Sequence, residues 1–255
     1  MSGNLIYNQC NAIIQNMLNE ILFLLLALFA SIVSATIGFG SALILIPFSS
    51  FFLPIKEAIA IITLFFIAAN LSKILFFRKY IDWKIVFLIW AGAIPMVFIG
   101  ASLMIYAPSD LIKRVLGAII IFYVLNDYFN FTRHVRLNKI AIAFTGAAYG
   151  FFAGIIGTGG PIKAALLNHI GLRKEKFIAV MTTSAFLLNI IKTLVYSRSS
   201  LVTAEDIPLI IGLVACAFFG TYIGRNFVKK FHPETFRRII LVMLFIVSVK
   251  LLFFT

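Results

Sequence analysis

Thr36-Ile37-Gly38-Phe39-Gly40-Ser41 and Gly154-Ile155-Ile156-Gly157-Thr158-Gly159-Gly160-Pro161 decide how this chain folds. Each stretch lies inside an apolar run of more than 30 residues, about 18–54 and about 138–171. About 20 apolar residues cross a bilayer core, so one straight helix of that length overshoots it. Glycine also weakens a helix interior. Each run therefore reads as two shorter helical pieces meeting at a break. Such a break persists at membrane depth where protein or a watery cavity satisfies the freed backbone groups.

The rest of the chain fits that setting. Of its 255 residues 62% are hydrophobic and 12% charged, with a mean hydropathy of +1.06. Globular domains run at roughly 45–50% apolar. This composition excludes a soluble globular enzyme, a disordered chain and a disulfide scaffold. No polar stretch is long enough for a separate soluble domain, so residues 1–255 read as a single transmembrane domain. Cys10 and Cys216 lie far apart and read as free thiols. Residues 1–17, with Asn and Gln among Ile and Leu, read as a short interfacial lead-in. They lack the basic region of a cleaved signal.

The two glycine stretches are copies of one pattern. Gly38 and Gly40 match Gly157 and Gly159, Asn70 matches Asn189, and Lys73 matches Lys192, all at an offset of 119. Gly92 and Gly100 match Gly212 and Gly220 at 120. Polar residues are rare in apolar helices, so these coincidences mark an internal repeat, about 18–131 and about 138–254, as in many transporters. Each repeat holds four apolar segments: 18–54, 57–77, 84–106 and 111–131, then 138–171, 176–196, 206–228 and 236–254.

Charge gives the topology. The chain carries 22 Lys and Arg against 9 Asp and Glu. In a soluble protein that excess would point to nucleic acid; here basic cytoplasmic loops explain it, and no nucleic-acid partner is expected. If each broken segment enters and returns as a re-entrant hairpin, each repeat has three full crossings and the repeats are inverted. One face then holds 14 basic residues, in the loops near 78–84, 132–139, 172–176 and 225–238, and the other holds 4. Eight plain crossings divide them 11 to 7. The positive-inside rule favours the hairpins, with both termini outside the cytoplasm. The expected fold is all-α and polytopic: two inverted repeats, each a Gly-broken re-entrant hairpin plus three transmembrane helices.

Catalytic constellations are missing from the sequence. His134, His169 and His232 show no metal-ligand spacing, and every acid lies at or near a segment end, Asp127 being the deepest. No catalytic residue, metal or cofactor is expected. Cation carriers commonly place a carboxylate within the membrane. Here the buried polar residues are instead Lys73, Lys163, Lys192, Asn70 and Asn189, a set that favours an anionic guest.

A helix that starts at a break aims free N–H groups and its positive dipole end into the gap. Ser41 is the expected N-cap of a half-helix 42–53, and Pro161 suits the first turn of its counterpart. Two such ends meeting at mid-membrane make an anion site from backbone alone. Thr36, Ser41 and Thr158 add hydroxyls; the alternative use of these small residues is tight helix packing. Lys163 follows the second break, with Ile44 at its repeat position, and either meets the ligand, snorkels or binds a carbonyl. Lys73 and Lys192 lie three residues past Asn70 and Asn189 on one helical face, within snorkelling reach of the interface. The expected substrate-binding set is Thr36, Gly38, Gly40, Ser41, Asn70, Gly157, Thr158, Gly159, Gly160, Lys163 and Asn189, with Lys73 and Lys192 secondary.

In Gly38-Phe39-Gly40, in Gly157-Thr158-Gly159-Gly160-Pro161 and in the duplicated Asn70 and Asn189 helices, residues 20–254 resemble the TauE/SafE sulfite-exporter family, also called TSUP. The first copy departs from the family pattern at Ser41, where a further glycine often stands. The resemblance implies a multi-pass plasma-membrane permease for sulfite, sulfonates or related organosulfur anions. Joined to the residues, it gives an alternating-access carrier that binds the anion between the hairpin tips. The other readings are a channel-like facilitator or carrier of another anion, and a non-transporting assembly or regulatory subunit. The expected partners are the small anion and the lipid bilayer, and a homodimer is compatible with them.

Overall fold

In hydrocarbon every backbone N–H and C=O must find its partner inside the protein, and a helix does so within one segment. The computed structural model describes residues 2–37, 40–129, 139–172, 174–227 and 233–253. Among these the chain forms α-helices joined by short turns, without strands. The helices are α1 (Ser2–Ile37), α2 (Ser41–Ser49), α3 (Ile55–Phe77), α4 (Trp83–Tyr106), α5 (Ser109–Phe129), α6 (Lys139–Ile155), α7 (Gly160–His169), α8 (Lys174–Tyr196), α9 (Ile207–Phe227) and α10 (Pro233–Phe253). Five spans among the described residues are long and apolar enough to cross a bilayer: Met17–Ala35, Ile55–Tyr80, Trp83–Tyr106, Glu175–Tyr196 and Ala204–Gly224. The shorter apolar stretches are Lys139–Ile155 and Leu244–Phe253.

Both breaks fall where the glycines cluster. One helix stops at Ile37 and the next starts at Ser41; another stops at Ile155 and resumes at Gly160. Gly40 (φ 110°) and Gly157 (φ 79°) take left-handed conformations that a side chain disfavours. Gly38 and Phe39 lie outside the described residues, as does the side chain of Thr36. The same holds for the loops 130–138 and 228–232, with His134 and His232, and for the side chain of Cys10. Cys216 is a free, half-buried thiol.

The lead-in is continuous with α1 from Ser2, since no glycine or proline interrupts residues 4–37. Two local expectations are corrected. Ser41 is not the N-cap: Gly40 holds that position, no side chain caps the end, and Ser41 is the first helical residue. The glycine's left-handed turn starts the helix without a side-chain cap, which leaves its first amides without a capping side chain. The half-helix also ends at Ser49 rather than 53. There the Ser49 and Ser50 hydroxyls bind the carbonyls of Ile46 and Pro47, and the chain turns before Pro54.

Beyond each break the short helix packs against the helix before it, α2 on α1 and α7 on α6. The Phe52 ring, beyond α2, lies 5.9 Å from that of Phe23 in α1. In the second copy, a side-chain carbon on Gly159 would stand 2.5 Å from the Tyr149 carbonyl oxygen in α6.

Most packing between the halves follows an exchange rule, the exception being α2 on α10, which has no counterpart of like extent between α7 and α5. α1 packs on α9 and α6 on α4; α3 packs on both α8 and α9, and α8 on both α3 and α4; α5 meets α10. Swapping the first five helices for the last five leaves these pairs unchanged. The α4–α6 crossing is made by glycines. Gly92 abuts the backbone of Ala143, Gly100 that of Phe151, Gly150 that of Ala93 and Gly154 that of Ala101. Gly212, Gly220 and Gly224 of α9 likewise meet Leu24, Ser31 and Ile32 of α1. Sequence number rises together on both partners, so each crossing is parallel. The repeat-matched glycines therefore bring helices into close approach. α3 and α8 are central: 61% of each apolar window is buried, against 33% for α1, α4 and α9. Phe87, Phe122, Phe144 and Phe219 face outward.

Candidate functional site

The starts of α2 and α7 converge with the middles of α3 and α8 on one cavity of about 80 Å³. A water needs roughly 10–15 Å³ by this kind of measure, so the space suits a small polyatomic solute. Its walls come in repeat pairs: Gly40 with Gly159, Ser41 with Gly160, Asn70 with Asn189, Lys73 with Lys192, and Ser34 with Ala153. Gly157, Thr158 and Lys163 complete the expected set. Every expected site residue lines this cavity except Thr36 and Gly38, which do not enter the description of its walls.

Backbone donors point to the same place. The first intrahelical bonds are Ile44 N–H to Gly40 O in α2 and Lys163 N–H to Gly159 O in α7. The amides of Ser41, Ala42 and Leu43 thus have no helical acceptor upstream, and all three residues line the cavity. In α7 the Gly160 amide donates to Thr158 Oγ1 at 3.4 Å, and Pro161 has no amide to satisfy.

The three lysines are buried and turn inward. Lys73 donates to Ser34 Oγ on α1. Lys192 donates to the Gly157 carbonyl at 3.1 Å, inside the second break. Lys163 donates to Met181 O at 2.7 Å and Tyr149 Oη at 2.9 Å, with its Nζ 4.2 Å from the centroid of the Tyr149 ring. Neither Lys73 nor Lys192 snorkels. Lys163 takes its carbonyl-bound role and also lines the cavity. The cavity wall contains no Asp or Glu, and the single ion pair among the described residues is Lys113–Asp110, elsewhere.

Nine wall residues were not foreseen from sequence, among them Ser34, Phe66, Tyr149, Met181 and Thr182. No repeated polar residue marked Ser34, whose repeat position carries the apolar Ala153. The contact of Tyr149 with Lys163 depends on how α7 lies against α6 and leaves no trace in spacing. Among the described residues no group of three or more His, Cys, Asp or Glu could hold a metal.

A pocket that joins three amines to two helix N-termini is built to stabilise negative charge. No curated protein and no solved structure matches the chain. The family model described as "Sulfite exporter TauE/SafE" matches residues 23–251, both breaks and the whole cavity wall included. By that match, and by its apolar spanning helices, this chain belongs to the sulfite exporter TauE/SafE family of membrane transporters of sulfur anions.

Proposed function

We propose that the chain is a multi-pass plasma-membrane permease for a small anion, sulfite or a small organosulfonate, bound between the tips of two re-entrant hairpins. The observation that carries this reading is the composition of the cavity wall: helix starts from both breaks, Lys73, Lys163 and Lys192, and no carboxylate. Asn70 and Asn189 add neutral donors at paired positions. The site works by backbone and ammonium donors, so the cargo needs no cofactor.

The hairpins draw support from the contacts Phe23–Phe52 and Tyr149–Gly159 and from the one-sided basic loops. Three crossings in each repeat make the second repeat the inverse of the first, and the exchange rule of the packing fits such a pair. Transport then proceeds by alternating access, one repeat rocking against the other about the shared cavity.

Purified protein in liposomes tests this directly. Sulfite and methanesulfonate are expected to cross with saturable kinetics, each inhibiting the other. Flux that rises linearly without saturation would favour a channel-like facilitator. Liposomes that pass nothing across a broad anion panel would leave a non-transporting membrane subunit as the function.

A further inference from the structure

Thr182 departs from a habit that several helical hydroxyls of this protein keep. A helical threonine or serine usually returns its hydroxyl to the carbonyl three or four residues back. Thr63, Ser72, Thr145, Ser184 and Thr193 all do so here. Thr182 does not: it is 2% exposed, its Oγ1 has no hydrogen-bond partner, and it lines the cavity. A buried hydroxyl left unpaired is a standing cost that a ligand acceptor removes.

Its repeat position sharpens the point. At the offset of 119 stands Thr63, equally buried, whose hydroxyl donates to Ile59 O at 2.7 Å. Lys163 faces the same contrast, with Ile44 at its repeat position, and it is held by the carbonyl of Met181, the neighbour of Thr182. The glycines, asparagines and other lysines are shared between the halves. Lys163 and the free Thr182 hydroxyl belong to the second half, while the first half carries Ser34 and Ser41 where the second has Ala153 and Gly160.

We propose that Thr182 is a specificity-determining donor. It forms, beside Lys163, an oxyanion subsite that takes one acceptor oxygen of a polyatomic anion whose charge the lysines hold. The guest is then an oxyanion with several acceptor oxygens on one headgroup, one of them placed at Thr182. This rests on the anion-permease reading and narrows it.

The test uses the full-length protein in detergent, titrated with sulfite and with methanesulfonate and followed by calorimetry and thermal unfolding. Thr182→Val keeps the side-chain shape and removes the hydroxyl. Affinity for both ligands is expected to fall about tenfold, while the ligand-free melting temperature stays level or rises, since an unpaired polar atom has gone. Thr182→Ser is expected to restore binding. Thr63→Val, and Thr183→Val at the other unpaired threonine, which does not line the cavity, are expected to leave affinity within about twofold. Unchanged affinity in Thr182→Val overturns the subsite and leaves the permease reading standing. A fall in melting temperature, with binding lost in the serine variant as well, also overturns it. Wild-type protein that binds no oxyanion overturns the permease reading and the subsite with it.

Discussion

Lys163 is held by two acceptors, the carbonyl of Met181 and the hydroxyl of Tyr149, and an ammonium has three donors. One N–H therefore remains for a guest. Lys163→Ala is expected to cut sulfite flux and affinity more than tenfold, because a hydrogen bond to a charged group is among the stronger polar contacts. Ligand-free unfolding should still be cooperative, since alanine has good helix propensity. Tyr149→Phe removes one anchor and leaves the other, so its loss should be severalfold and smaller than that of Lys163→Ala; flux at graded sulfite concentrations ranks the two. At this scale the sequence was readable where chemistry repeats. Asn70, Asn189, Lys73 and Lys192 announce themselves as polar residues at one offset in apolar helices. Thr182 and Tyr149 were not readable, because ordinary membrane helices contain such residues and their roles depend on which neighbour faces them.

The helices owe their arrangement to where glycine permits contact and where it permits a turn. On α4 and α6 the first use prevails: a side-chain carbon at Gly150 or Gly92 would collide with the backbone of Ala93 or Ala143, which cannot yield as a flexible side chain can. Gly150→Ala is expected to cost about 1–3 kcal/mol and to lower the melting temperature by about 5 °C, read by thermal unfolding in detergent. Gly160 is the contrasting case. Its nearest neighbour would be Thr158 Oγ1 at 3.7 Å, ordinary contact, and its repeat position already carries Ser41. Gly160→Ser is therefore expected to fold with an unchanged melting temperature, so that any change in anion affinity reports on the cavity alone. The breaks were legible because over-long apolar runs and clustered glycines conflict with one straight helix. The cap at Ser41 was misread because a left-handed glycine can start a helix without a side-chain acceptor. The pairing of Gly92 and Gly100 with Gly212 and Gly220 was visible, but the partner helices were not, since α4 and α9 each pack on a helix of the other half.

For the whole molecule, the consequential choice is between hairpins and plain crossings, and it turns on two loops. Residues 78–82 join α3 to α4, and residues 170–173 join α7 to α8. With a hairpin in each repeat, both loops lie on the basic, cytoplasmic face; with eight plain crossings they lie on opposite faces. Tyr80 and Glu175 mark them well, being exposed at the ends of their helices. Single cysteines there, in a chain whose Cys10 and Cys216 have been replaced by serine, can be tested with a membrane-impermeant maleimide in intact cells. Both are expected to resist labelling until the cells are permeabilised, whereas a cysteine at Tyr106, 84% exposed at the end of α4, should react from outside. Opposite behaviour of positions 80 and 175 would remove the inverted pair. The two helix N-termini would then approach the cavity in a different relation to the membrane, and alternation between repeats would lose its geometric basis. Agreement would tie the exchange rule of the packing to an axis in the membrane plane. One set of contacts could then serve both the outward-open and the inward-open states.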